Sequence, residues 1–70
     1  MLMKEKKEQW KQEIIARLEK ENLMWFIVDE IKDSLDYLNP YKVKNVYENL
    51  DRLITELKEI NANYIRNLST

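Results

Sequence analysis

The chain has 70 residues, with 12 Lys/Arg against 13 Asp/Glu for a net charge of −1, and 44% of its residues are hydrophobic. That allows one folded domain with a core of marginal size and argues against disorder. Cysteine and histidine are both absent, which excludes disulfides and ordinary zinc sites and leaves association with another chain as the staple for so small a fold. Glycine is absent too, so the sequence contains no phosphate-cradling loop, dinucleotide fingerprint or nucleophile elbow.

The first predicted helix covers about residues 5–20, where Trp10, Ile14, Ile15 and Leu18 recur at helical spacing. Lys4, Lys6 and Lys7 crowd its first turn, where the helix dipole disfavours cations. The segment from Met1 to Lys7 therefore either frays or is held by acidic groups elsewhere. Glu19-Lys20-Glu21-Asn22 then interrupts the apolar stripe. A break is expected near Asn22, with Asn22 left-handed and Leu23 meeting Leu18 as in a Schellman end. The competing reading is one continuous helix with Arg17 and Glu21 facing inward.

A second helix follows over about residues 23–38, marked by Leu23, Ile27, Val28, Ile31, Leu35 and Leu38. From Leu23 to Val28 apolar side chains surround the whole helix, so all of it needs cover. Either this is the middle helix, touched by the other two, or Trp25 with Phe26 or Met24 meets another chain; large aromatics are the usual anchors of such surfaces. Asp29, Asp33 and Asp36 share one face, with Glu30 adjacent. Oxygen clusters can hold magnesium or act as acid and base, but a solvated acidic face lying near Lys4, Lys7 and Lys11, of the same molecule or of a partner subunit, is the better reading. The charge layout agrees: residues 1–20 sum to +2, residues 21–40 to −4 and residues 41–70 to +1.

Asn39-Pro40 marks the next boundary, since Asn accepts from free backbone N–H groups and Pro loses nothing at the first helical position. The third and longest helix is expected over about residues 40–67, roughly 40 Å at about 1.5 Å per residue. Its heptad register is unusually regular. Tyr47, Ile54, Asn61 and Leu68 fill a, Val43, Leu50, Leu57 and Tyr64 fill d, and Val46, Leu53 and Ile60 fill g. A stripe that wide is flanked on two sides. Glu48 and Arg52 form an expected i,i+4 pair. Asn61 is a polar residue in an a position, which either fixes register and oligomeric state or lies beyond its neighbours and faces water. Tyr41, Lys42, Lys44 and Tyr47 mix basic and aromatic character, the weak signature of a nucleic-acid surface.

These features predict an all-α fold: a small helical bundle, coiled-coil-like, with two shorter helices packed antiparallel on one long C-terminal helix and completed by oligomerisation. The functional expectation is a non-enzymatic protein–protein interaction module, an adaptor or inhibitor acting as a homo-oligomer, with a dimer favoured. Interface residues are Trp25, Phe26, Met24, Asn61, Tyr64 and Leu68. No catalytic, cofactor-binding or metal-binding residue is assigned. The alternative is a helical-hairpin dimer that binds nucleic acid with modest affinity. The longest apolar run, Leu23 to Val28, is too short to cross a bilayer and Met1–Lys4 has no apolar signal core, so a cytoplasmic protein without membrane contact is expected.

Overall fold

Asn22 decides the course of the first half of the chain. In the computed structural model, which describes residues 3–69, its φ is 58°. That is the left-handed region, which asparagine tolerates better than most residues. Helix α1 (Met3–Glu19) ends just before it and α2 (Trp25–Tyr37) begins just after, so the two are separate. The turn is closed by two i→i−3 bonds, Lys20 N–H to Arg17 C=O at 3.2 Å and Glu21 N–H to Leu18 C=O at 3.1 Å. The helix therefore tightens into a 3₁₀-like last turn. The lysine-rich start does not disturb α1 from Met3 onward; Met1 and Leu2 of the segment expected to fray lie outside the described residues.

Asn39 and Pro40 play the parts their chemistry dictates. Asn39 Oδ1 accepts from the Lys42 N–H at 3.0 Å and Pro40 opens α3 (Pro40–Glu48). The long third helix then differs from expectation. It bends at Asn49 (φ −110°, ψ 25°) and continues as α4 (Leu50–Leu68). The α3 ladder ends with Asn49 N–H to Asn45 C=O and the α4 ladder begins with Leu53 N–H to Asn49 C=O, both at 3.1 Å. The Asn49 amide competes for the same acceptors, donating to Asn45 C=O at 2.8 Å and to Asn45 Oδ1 at 2.9 Å. A short polar side chain that bonds the preceding turn bends a helix. The bend also lies between Glu48 and Arg52, and Arg52 pairs instead with Glu56 at 3.7 Å.

Among the described residues there are four helices and no strand. The core is Ile14 and Leu18 of α1, Ile27 and Leu35 of α2, Val43 of α3, and Leu50, Ile54 and Leu57 of α4. Every helix contributes, as a chain without other staples requires. The packing differs from the layout expected above in two respects. The central helix is α1, which packs most extensively on α3 and next on α2. Direction differs as well. Lys11 of α1 pairs with Asp36 near the end of α2, so these two are antiparallel. In contrast, Glu13 meets Tyr47, Arg17 meets Asp51 at 3.1 Å and Glu21 meets Lys58 at 2.9 Å. Both numbers rise together, so α1 runs parallel to α3–α4 and only α2 opposes them. Two short connections each reverse the chain, and two reversals restore the original direction.

The molecule is elongated, 51 × 19 × 17 Å. The bundle reaches along α4 to about Asn61. Beyond it, from Ala62 to Ser69, every described residue is exposed.

A candidate interaction surface at the open end of the bundle

The end of the bundle is defined by one hydrogen bond. Met24 precedes α2, where Ser, Thr, Asp or Asn would ordinarily cap the helix, and its side chain has no capping oxygen. Asn61 of α4 acts on this helix end from outside: its Oδ1 accepts from the Met24 N–H at 2.8 Å in a half-buried contact. The asparagine in the a position thus does not simply face water. It pins the α1–α2 turn onto α4. Lys58, one turn earlier, adds the ion pair to Glu21 in that turn.

Past this anchor the apolar face of α4 is only partly covered, by Phe26 at Tyr64, and opens further toward Leu68. Tyr64 repeats the heptad position of Leu50 and Leu57, and Leu68 repeats that of Ile54, so they point the same way as the core residues of α4. Leu50, Ile54 and Leu57 are buried, whereas Tyr64 is 39% exposed, Ile65 46% and Leu68 65%. Trp25, at the start of α2, is 72% exposed. Phe26 links the two elements. Its ring lies 4.8 Å from that of Tyr64 at 65°, and 6.1 Å from that of Trp25 at 90°. Both are edge-on geometries that aromatic quadrupoles prefer. An aromatic row from Trp25 through Phe26 to Tyr64 therefore crosses from α2 to α4 and meets the open apolar end.

Of the six residues singled out in the sequence, Trp25, Phe26 and Tyr64 are in one row, Met24 and Asn61 are bonded to each other beside it, and Leu68 lies one turn beyond Tyr64. Phe26 and Met24 are half-buried, committed partly to the fold itself. Sequence reasoning passed over Ile65, which directly follows Tyr64 and extends the same face. It also passed over Tyr37, the most exposed of the large hydrophobic residues at 89%.

The charged candidates are distributed differently. Asp29, Asp33 and Asp36 are all exposed. Asp36 receives Lys11 on its carboxylate and Lys7 on its backbone carbonyl, the latter at 3.1 Å. The hydrogen bond that Lys11 donates to Asp36, together with the charges of Asp36 and Glu8, outweighs desolvation and raises the Lys11 pKa above its ordinary value. A hydrogen bond to Glu13 raises the Tyr47 pKa in the same sense. The basic–aromatic group Tyr41, Lys42 and Lys44 at the start of α3 is exposed. Among the described residues, no group of three or more acidic side chains is placed to hold a metal ion, and no helix is long and apolar enough to cross a membrane. A surface groove of about 500 Å³ lies over the bend and is lined by Asn45, Val46, Asn49, Arg52, Leu53 and Glu56. Compared with known proteins, the chain matches no family model, no curated protein and no solved structure.

Proposed function

We propose that this chain is a non-enzymatic interaction module, an adaptor or inhibitor that works by protein–protein contact and as a homo-oligomer, most simply a dimer. The observation that carries the reading is the only partly covered continuation of the core face at Tyr64, Ile65 and Leu68, joined by Phe26 to the exposed Trp25. Large apolar side chains grouped on a small surface mark contact sites, because leaving them in water forfeits about 25 cal/mol per Å². Tyr and Trp are also the residue types most often found as energetic anchors of such contacts.

The test is sedimentation across a range of concentrations, with wild type and Trp25→Ala compared. Concentration-dependent association, weakened in Trp25→Ala while helicity is kept, supports the reading. A folded monomer at high concentration overturns the oligomeric part. Binding assays at several salt concentrations separate a protein partner from nucleic acid: contacts of Lys42 and Lys44 with phosphate would weaken steeply with salt, whereas an apolar helix face is nearly indifferent.

A further inference from the structure

Resting on the oligomeric reading above, we propose that the occupant of the open end is a second copy of this chain, its α4 lying antiparallel to the first and crossing it near Tyr64 and Ile65. The large total exposed surface of so small a chain is the first reason. A compact monomer of 8.6 kDa exposes about 4,700 Å² by the usual scaling of surface with mass, whereas this chain exposes 5381 Å². The excess of about 700 Å², summed over the whole elongated molecule, is of the order of the roughly 800 Å² each partner contributes to a stable interface of ordinary size.

The chemistry of the face is the second reason. From Ile60 to Ser69 the one charged residue is Arg66. At about 100° per residue it points to the side of α4 opposite Tyr64 and Leu68. An apolar, uncharged strip offers nothing to an acidic or basic partner and is complementary to its own copy, which is what a two-fold contact requires.

The third reason fixes direction. Up to the level of Asn61 the same face of α4 is occupied by the α1–α2 turn, held by the Met24–Asn61 and Glu21–Lys58 contacts. Two copies running parallel would bring these occupied stretches to the same height on facing sides, where they collide. Running antiparallel, the two bodies stand at opposite ends and only the free strips overlap. With the crossing near Tyr64 and Ile65, Leu68 of one copy is level with residues 60–61 of the other. That places it beside the other copy's Trp25, one residue from Met24. The exposed leucine of each copy is thus brought to the level of the other copy's aromatic row, twice, by symmetry.

Spin labels on the solvent side of α4 test this directly. Single-cysteine variants Arg66→Cys and Arg52→Cys, in a chain with no native cysteine, are labelled and the distance between copies is measured by pulsed electron resonance. Residue 66 lies beside the crossing, so its labels are expected at the interhelical spacing of about 8–10 Å plus the label tethers. Residue 52 lies 12 to 13 residues away in each copy, so its labels are expected to be separated by about 37 Å along the axis. Short distances at both positions mean a parallel pair, and long distances at both mean a contact elsewhere. Either result overturns the antiparallel arrangement and leaves the homo-oligomer intact, whereas a monomer overturns both. A Leu68→Glu variant gives a second readout. Leu68 is exposed within one copy, so helicity should persist while dimerisation weakens at least tenfold. Unchanged dimerisation in that variant also overturns the proposal.

Discussion

Asn61 is the residue on which two views of this helix disagree most sharply. Seen as a position in a coiled-coil seam, it is a polar flaw, and Asn61→Leu should stabilise the chain by adding apolar burial. Seen in the fold, it supplies the acceptor for an N–H at the start of α2 that no local side chain serves. The same substitution should then destabilise. A net hydrogen bond of this kind contributes about 1 kcal/mol, and stranding a half-buried donor can cost somewhat more. We expect Asn61→Ala and Asn61→Leu each to lose about 1–2 kcal/mol, a fall in Tm of roughly 4–16 °C for a chain this short. Asn61→Asp should do the opposite. A carboxylate accepts more strongly and sits favourably at a helix N-terminus, so at pH 7 the variant should equal or exceed wild type. A carboxylate whose pKa is depressed by folding contributes above its unfolded value, about 3.9; the advantage should therefore vanish as pH falls through the folded pKa, below about 4. The assay is thermal unfolding followed by circular dichroism at one fixed protein concentration, since association would shift Tm by mass action. An Asn61→Leu variant more stable than wild type would refute the capping argument.

Three further outcomes follow from the same packing. Leu35→Ala removes one of the four most deeply buried side chains and should cost about 2–5 kcal/mol. In a chain this small that is a large share of total stability, and urea unfolding will show it as a sharply lowered midpoint. Asn49→Ala removes the amide that grips Asn45 and substitutes a better helix former, so stability should rise by a few tenths of a kcal/mol; a loss above about 1 kcal/mol means that the bend itself is needed to seat α4. Lys11 and Tyr47 both have raised pKa values, through Asp36 and Glu13 respectively. A raised folded pKa contributes fully below the unfolded value and is lost as pH rises through the folded one. Tm should therefore be flat from pH 7 to 9 and fall above about pH 10, less so in Lys11→Met and Tyr47→Phe; a fall of the same size in both variants would mean neither group matters.

How much of this was legible in the residue order depends on how local the cause is. Helix content, the stops at Asn22 and Asn39–Pro40, and the apolar stripe of the last helix follow from short-range chemistry: a side chain that tolerates positive φ, one that caps, one that lacks an N–H, and a period near 3.5. The pairing of Lys7 and Lys11 with the end of α2 was also within reach, because charge blocks of opposite sign sit on helices joined by a short turn. The bend at Asn49 was a local signal that was missed, for an asparagine four residues after another asparagine can compete for the backbone of the preceding turn. Tertiary structure alone decided the rest. Heptad letters assign the same environment to Ile54, Asn61 and Leu68, yet the first is buried, the second caps a neighbouring helix and the third faces solvent. The difference is where α1 and α2 stop along α4, a matter of length and direction in three dimensions. Periodicity states which way a side chain points; only the fold states whether another helix is there to meet it.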